Sequence, residues 1–390
     1  ARTHEGTFEI EQTQVDDKTG IPAFALTLKL GWVVDGKLST REIEFDRQQR
    51  SVIVEMPREP EQVRVDPYTE VLLKLDFNPG DGMLLRQLTR ATDVAGRILA
   101  GQELAKTGRA KNIAALRDAY AAEPFWGVRI EWARALAKLG TEAAVQALVH
   151  VVGAEQDPLA QEAVLRAAGA LRDERIAAAL QARLNAGLPY RASAAALEGL
   201  GRQRAQAPFD ELVRHSASTS FGGHVQSGAL RGLAATRRSE ALTVLTERSR
   251  VGATPYNARP ASVFGLGELG KNLERGERER VRERLVDLLR DPVPRVRQAA
   301  LLALGNLGDA DALLALTAYR ASVSEQEQLG VDRVLRSLRS SESPRAAALE
   351  KHVDELEGKL RKLDDALQRL QARIEPQTPP APKPPTEGQS

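Results

Sequence analysis

The chain has 390 residues, which is enough for two or three domains or for one extended array of repeats. Its 55 basic and 53 acidic side chains leave a formal net charge of +2, a balance that argues against a dedicated nucleic-acid binder. There is no cysteine, so disulfides and cysteine-bound metals are excluded. Aromatic residues make up only 4% of a sequence rich in leucine and alanine, which favours closely packed helices over an all-β protein.

The sequence also lacks the features of a membrane-bound or secreted precursor. No segment approaches the run of about 20 apolar residues that a transmembrane helix requires. Residues 1–6 include neither an initiator methionine nor the apolar centre of a signal peptide, and they lead directly into a strand pattern. We therefore expect a soluble protein without a membrane partner, with the cytoplasm favoured, whose chain is cut from a longer one.

The first quarter of the chain has the alternation of apolar and polar residues that is typical of half-buried strands. The alternation covers residues 8–11 and 24–30, and further short apolar runs follow. Between two of these strand patterns lies the dipeptide Asp35-Gly36, which predicts a two-residue hairpin turn. We therefore predict a small antiparallel β-sandwich over residues 1–77.

A linker rich in proline and glycine, residues 78–82, ends the strand pattern, and helical periodicity begins at Met83. The clearest helix, residues 294–309, resembles the second helix of a HEAT-type hairpin. Its ending, in which small residues precede a leucine, returns at intervals of roughly 30 to 40 residues. The closing leucines are Leu139, Leu171, Leu200, Leu233, Leu269 and Leu307. This regular return predicts a mainly α protein with a HEAT-like α-solenoid over residues 83–340, in preference to an irregular helical bundle.

Beyond the solenoid pattern, apolar residues step by four and three alternately through residues 349–374, which is the spacing of a coiled-coil seam. We predict an amphipathic, coiled-coil-like helix over residues 345–374. Such a helix either folds back to cap the solenoid or pairs with a second copy or another partner. The proline-rich residues 375–390 predict an extended, disordered tail.

The chain carries no recognisable catalytic or metal-binding motif. His4-Glu5 begins as an H-E-x-x-H zinc motif does, but Phe8 stands where the second histidine ligand is needed. The glycines between Gly265 and Gly270 resemble G-x-G-x-x-G, but they fall within a repeat helix and no strand precedes them. We therefore expect no catalytic residue, metal ligand or cofactor in this chain, and we interpret these glycines as packing positions.

Two places that depart from the repeat pattern are candidates for contacts with a peptide or a protein partner. Trp126 and Arg129 could stack on a base or on a peptide side chain. Trp132 lies six residues after Trp126 and faces another side of the helix, so at least one of the two indoles belongs to the core. His215 and His224 flank a run of serine, threonine and glycine that we interpret as a polar loop, because no strand-turn-helix frame presents a catalytic serine there.

Several segments, in this order, resemble the β-sandwich module and the start of the helical domain of M1-family zinc aminopeptidases. The sandwich segments are TFEIEQTQ (7–14), PAFALTL (22–28), VDP (65–67) and VLLKL (71–75). The helical segments are LRQL (85–88), DVAGRILA (93–100) and ELA (103–105). The resemblance covers nearly the whole chain.

The resemblance implies the non-catalytic C-terminal region of a metalloaminopeptidase. In that family a catalytic domain with H-E-x-x-H, a zinc-binding glutamate and a G-x-M-E-N loop precedes the sandwich, whose first strand would then lie before Ala1. None of these motifs is present here, so the zinc is expected in the parent protein only. The implied partners are the catalytic domain, in cis or in trans, and peptides. The helical domain of such a parent covers the active site and limits peptide access.

Two other functions remain open on sequence grounds. The first is a HEAT-repeat scaffold that has lost, or never had, a peptidase domain and binds proteins, with a homodimer formed through residues 349–374. The second is a HEAT-type nucleic-acid binder, which the near-zero net charge argues against.

Overall fold

The computed structural model describes residues 4–16, 18, 20–255 and 257–340, together with the isolated residues 356, 359, 360, 363 and 367. Within these residues five strands come first and the remaining elements are helices. The strands are β1 (His4–Glu11), β2 (Leu26–Val34), β3 (Lys37–Phe45), β4 (Gln49–Met56) and β5 (Gln62–Val65). The chain is therefore mainly helical with a small β region at its start, as the sequence predicts.

The strands form two small antiparallel sheets around one core. One sheet pairs β1 with β4, and the other has the order β3-β2-β5. Asp35 and Gly36 join β2 to β3 with φ angles of 52° and 70°, the left-handed conformation that the Asp-Gly dipeptide predicts for this turn. Buried side chains from both sheets, including Phe8, Leu30 and Val54, pack together. The shared apolar core holds the two sheets face to face.

The helices follow one another with short loops. They are α1 (Asp81–Arg90), α2 (Val94–Lys106), α3 (Ala110–Tyr120), α4 (Trp126–Leu139), α5 (Glu142–Ala154), α6 (Pro158–Ala168), α7 (Glu174–Asn185), α8 (Tyr190–Gly201), α9 (Phe209–Ala217), α10 (His224–Thr236), α11 (Ala241–Arg248), α12 (Arg259–Gly270), α13 (Arg275–Leu288), α14 (Pro294–Leu307), α15 (Leu313–Ser322) and α16 (325–340).

The helices stack in two layers, as expected for helical hairpin repeats. Helices α2, α4, α6, α8, α10, α12 and α14 each pack on the next, and we call this row the even layer. Helices α1, α3, α5 and α7 pack on one another in the second layer, while α9, α11 and α13 pack on their neighbours in the even layer. Each repeat therefore packs mainly against adjacent repeats, and the described helices form a solenoid.

The clearest repeat helix of the sequence is α14. Proline occupies its first turn, Val296, Ala300 and Leu304 are fully buried, and Gly308 ends the helix at a φ of 64° with its N–H on the carbonyl of Leu304. The predicted helix is confirmed. A Cβ at Gly267 of α12 would collide with the backbone at Ala303 of α14, which agrees with the packing role predicted for the glycines of α12.

In the middle of the even layer, α8 and α10 approach each other through their backbones. A Cβ at Gly201 would collide with the carbonyl group of Gly232, and a Cβ at Gly228 would collide with the backbone of Ala194. Small residues at both ends of this contact let the two helices pack without intervening side chains. The result is a junction in which the two helix backbones are in direct contact.

Most of the predicted coiled-coil helix, residues 345–374, and the whole predicted tail, residues 375–390, lie outside the described residues. Four leucines of the predicted seam are described as helical, and each is more than half exposed. They are Leu356, Leu360, Leu363 and Leu367. The capping helix and the dimer both stay predictions. Among the residues that the structure describes, none of the helices has both the length and the apolar character needed to cross a bilayer.

Candidate functional site

Phe125 and Trp126 form an exposed aromatic pair at the start of α4. Their ring centroids are 5.3 Å apart with the planes tilted by 44°, and more than a third of each side chain is exposed. By contrast, Trp132 is buried, and its indole N–H donates to the carbonyl oxygen of Arg97 at 3.0 Å. One indole of this helix therefore lies at the surface and the other in the core, as their spacing predicts.

Arg129 lies one turn after this aromatic pair but is largely buried among acceptors. Its Nε is 2.9 Å from Oε2 of Glu155, its Nη2 is 3.2 Å from Oδ2 of Asp157, and its Nη1 donates to the carbonyl of Glu123 at 2.7 Å. Burial alone would lower the pKa of Arg129, but the hydrogen bond and charge of Glu155 raise it. A peptide would have to compete with two carboxylates for this guanidinium, so its role as a contact residue stays a prediction.

His215 and His224 lie on either side of the predicted polar loop, at the end of α9 and the start of α10. The imidazole Nε2 of His215 is 3.7 Å from a carboxylate oxygen of Glu211 on the same helix. The loop itself is held by a hydrogen bond from the hydroxyl of Ser220 to the side chain of Gln226. Among the aromatic residues that the structure describes, Phe221 of this loop is the most exposed. The four candidate contact residues thus lie on three helices, and their roles stay predictions.

The contacts of Arg129 belong to a repeated feature that we call the arginine ladder. Each rung joins an arginine near the start of one element to a carboxylate in the loop before the next helix of the even layer. The rungs are Arg64–Asp93, Arg97–Glu123, Arg129–Glu155 and Arg259–Asp291. Because every arginine in this set is at least 87% buried, the rungs hold consecutive repeats in register rather than presenting free charge.

A cluster that the sequence analysis missed lies at the other ends of the even helices. Basic side chains gather where α6, α8, α10 and α12 end, around a cavity of about 330 Å³. The residues responsible are about 30 positions apart in sequence, so the cluster becomes visible only when the closing leucines are aligned as repeats. Among the described residues no group of three or more histidine, aspartate or glutamate side chains could hold a metal ion.

A family model for HEAT repeats matches residues 83–169 and 251–328. The first range runs from α1 to the end of α6, and the second includes α12 to α15. The matched ranges therefore flank the glycine-lined junction of α8 and α10. No curated protein matches the sequence.

Several solved structures are similar in shape at low identity. Aminopeptidase A of Legionella pneumophila in complex with aspartic acid is 10% identical with a TM-score of 0.49, over 86% of this chain and 47% of that chain. Human deoxyhypusine hydroxylase in complex with glycerol is 18% identical with a TM-score of 0.30, over 67% of this chain and 96% of that chain. The complex of CpcE and CpcF of phycocyanin lyase from Nostoc is 21% identical with a TM-score of 0.36, over 69% of this chain and 98% of that chain.

This chain spans about half the length of the Legionella aminopeptidase. At these identities and TM-scores the likenesses concern shape, and no activity follows from them. The family match and the observed stacking of helix pairs agree with each other. The helical part of this chain contains HEAT repeats.

Proposed function

We propose that this chain is the non-catalytic C-terminal region of an M1-type zinc aminopeptidase, in which the solenoid covers the active site and limits peptide access. The observation that carries the proposal is the joint between the sandwich and the first repeat. The segment that resembles the family, residues 93–100, supplies this joint. A sandwich fixed rigidly to a solenoid is the arrangement needed to hold a cover at a constant distance from a preceding domain.

The joint is built around Arg64 of β5, whose side chain is 7% exposed. Its guanidinium donates to both oxygens of Asp93 at 2.5 and 2.8 Å and to the carbonyl of Pro67 at 3.0 Å. Asp93 also caps α2 by accepting from the N–H of Gly96 at 2.7 Å. One carboxylate therefore ties the last strand to the first helix of the even layer with bidentate geometry.

Further contacts reinforce the same joint. Arg86 of α1 donates to the carbonyl of Glu61, just before β5, at 2.9 Å. Partial burial alone would raise the pKa of Asp93, but hydrogen bonds from Arg64 and from Gly96 lower it, so this carboxylate is charged at neutral pH. The sandwich is thus joined to both α1 and α2 of the solenoid, by a hydrogen bond and by an ion pair respectively.

The sandwich presents a surface that suits a neighbouring domain. Within the described residues, the β1–β4 sheet has only two strands, and a two-stranded sheet is marginally stable alone. Apolar side chains are also exposed within residues 1–77, among them Phe24, Ile53 and Leu72, and Leu72 is completely exposed. In the proposed parent, a further strand and the catalytic domain cover this surface.

The decisive experiment is to sequence the genomic DNA immediately upstream of the codon for Ala1. An in-frame segment encoding H-E-x-x-H and a downstream glutamate would establish the peptidase. A promoter and start codon directly before this region would refute the proposal. The chain itself, purified alone, is expected to bind no stoichiometric zinc and to cleave no aminoacyl reporter.

The proposed covering role is tested in the full-length aminopeptidase that the proposal predicts. Asp93→Asn weakens the joint, so we expect a changed ratio of kcat/KM for long and short peptides, while hydrolysis of an aminoacyl reporter stays the same. Asp118→Asn, which removes an exposed carboxylate paired with its neighbour Arg117, is the matched control. An unchanged length dependence in the Asp93→Asn enzyme would argue against the covering role.

The alternative is a scaffold that binds proteins through its solenoid. The exposed leucines between Leu356 and Leu367 favour it, because a peptidase cover has no need of an apolar helical seam. If the scaffold forms through this seam, the full chain is a dimer and a chain ending at residue 340 is a monomer in analytical ultracentrifugation. Monomers in both cases would remove this support.

A further inference from the structure

The ends of four even-layer helices frame a cationic pocket. It has a volume of about 330 Å³ and lies where α6, α8, α10 and α12 end. Five cationic side chains and one carboxylate contribute to its lining; they are Arg172, Arg202, Arg204, Arg237, Lys271 and Glu268. Four positive charges are therefore in excess within a space the size of a small ligand.

Three of these arginines have no partner in the described part of the chain. Arg172, Arg204 and Arg237 make neither an ion pair nor a side-chain hydrogen bond there. The other two cations are engaged, since Arg202 pairs with Glu198 at 2.6 Å and Lys271 lies 3.5 Å from Glu268. This contrasts with the arginine ladder at the starts of other even-layer helices and of α6 and α12, where each guanidinium has a carboxylate partner.

The unpaired arginines lie close enough for their charges to act on one another. Burial and the charges of Arg172 and Arg237 lower the pKa of Arg204. Moreover, Arg204 and Arg237 have φ angles of 59° and 60°, in the left-handed region where glycine would be unstrained. Each of these two turns thus places a long cation where a glycine would fit better. Such local strain is typical of residues retained for function.

We propose that the cationic pocket binds a compact anion that carries two or more phosphoryl groups. Guanidinium groups recognise phosphoryl oxygens with paired hydrogen bonds. Each phosphoryl group carries up to two negative charges, so two or three of them balance the four excess positive charges within the observed volume. A carboxylate supplies only one charge, so more groups would be needed in the same space. The four helix ends frame a space of about 330 Å³, which suits a compact ligand better than an extended nucleic acid.

A purely structural role for these arginines would predict different contacts. Basic residues near a helix C-terminus often stabilise it by interacting with its terminal carbonyl groups. Arg172, Arg204 and Arg237 donate to no such carbonyl in the described structure, and each follows the last turn of its helix. Their side chains are thus available to a ligand rather than engaged as helix caps.

The test is isothermal titration calorimetry of the full chain with inorganic tripolyphosphate. We expect binding that weakens as salt is raised, and at least a tenfold loss of affinity in the double variant Arg204→Gln/Arg237→Gln. The matched control is Arg250→Gln/Arg280→Gln, which removes two exposed arginines outside the pocket. No binding to the wild type, or an equal loss in both double variants, would overturn the proposal.

Further ligands identify the source of the phosphoryl groups. Equal affinity for ATP and tripolyphosphate would point to a free polyphosphate, and tighter binding of ATP to a nucleotide; either result supports the proposal. Tighter binding of a tetraglutamate peptide would overturn it in favour of an acidic peptide. Tighter binding of a single-stranded oligonucleotide would overturn it in favour of nucleic acid.

Thermal unfolding separates a binding role from a structural one. Without ligand, the Arg204→Gln/Arg237→Gln variant is expected to unfold at or above the wild-type temperature, because repulsion is relieved. Tripolyphosphate is expected to raise the melting temperature of the wild type but not of this variant. A melting temperature several degrees below that of the wild type would show that these arginines stabilise the fold. In that case the single variant Arg172→Gln is titrated with tripolyphosphate in the same way, and an unchanged affinity would overturn the proposal.

Discussion

At the scale of single residues, Asp291 shows how one carboxylate joins two repeats. It accepts hydrogen bonds from Nη1 and Nη2 of Arg259, at 3.1 and 2.5 Å, and from the N–H of Val293 at 3.0 Å. Both side chains of the ion pair are at most 6% exposed. Because the acceptors and donors satisfy one another, the pair is tolerated in the interior, but neither member can be removed without leaving a buried charge or donor.

We therefore expect Asp291→Asn to lower the free energy of unfolding by about 3–5 kcal/mol, since the charge of Arg259 is left uncompensated inside the protein. Urea unfolding followed by circular dichroism measures the change. Glu240→Gln is the matched control, because it removes the carboxylate of an exposed pair with Arg238. Similar losses of unfolding free energy in the two variants would show that the burial of the Arg259–Asp291 pair does not increase its contribution to stability.

The pH dependence of stability follows from the same carboxylate. Burial alone would raise the pKa of Asp291, but hydrogen bonds from Arg259 and Val293 lower it below the unfolded value of about 3.9. The unfolded chain then binds a proton before the folded one does, so the stabilisation is complete above about pH 5 and is lost as the pH falls through the folded pKa.

The measurable result is a comparison of wild type with Asp291→Asn in urea at several pH values. The difference in unfolding free energy is expected to be constant from pH 7 to about pH 5 and to shrink below about pH 4. A difference that stays constant down to pH 3 would show that the pKa of Asp291 is the same in the folded and unfolded chains.

The ladder also shows what residue-level reasoning from sequence could not find. Arg129 attracts attention because of its neighbours Trp126 and Trp132, yet its carboxylate partners Glu155 and Asp157 lie 26 and 28 residues further on. Pairing over that distance depends on the register of adjacent repeats. Loops of unequal length obscure this register in a single sequence, so the burial of Arg129 could not be predicted.

At the scale of elements, local sequence patterns were sufficient to predict the β2–β3 turn and helix α14. The Asp35-Gly36 turn requires positive φ angles at two successive residues, and few other dipeptides supply them. Helix α14 contains its own start, apolar face and left-handed end within 15 residues, 294–308. These elements were predictable because each is specified by neighbours in the chain.

Helix α14 also offers a direct test of the repeat register. Leu304 is fully buried, whereas Leu302, two residues earlier on the same helix, is 49% exposed. We expect Leu304→Asp to destabilise by more than about 4 kcal/mol, because an unpaired carboxylate enters the apolar core. Leu302→Asp introduces the same side chain at the surface and should have a much smaller effect on the melting temperature. Equal effects would show that the assigned register is incorrect.

At the scale of the whole molecule, the buried apolar residues of the solenoid fall into two cores that meet at α8. One core extends from Leu84 to Leu200 and the other from Leu197 to Leu338. The HEAT-repeat family matches lie on either side of this meeting point. In stacked repeats, each unit is stabilised mainly by its neighbours, so the α8–α10 junction determines how strongly the two halves are coupled.

That junction was not predictable from the sequence, although its residues were visible. Glycine and alanine end most of the repeat helices, and no pattern distinguishes Gly201, Gly228 and Gly232 from the others. What distinguishes them is the direct contact of two backbones. The same holds for the cationic pocket, whose arginines meet only because consecutive repeats end at one edge.

We predict that Gly228→Leu uncouples the two halves of the solenoid. The new side chain collides with the backbone of Ala194, so α10 must move away from α8. Gly153→Leu is the matched control, because a side chain at that position in α5 meets no atom within 4 Å.

Hydrogen exchange in increasing urea should show one common transition for helices α1–α16 in the wild type and in the control. In Gly228→Leu, peptides from α1–α7 and from α11–α16 should lose protection at different urea concentrations. A single transition that is only shifted to lower urea would show that the halves are coupled through contacts other than the α8–α10 backbone junction.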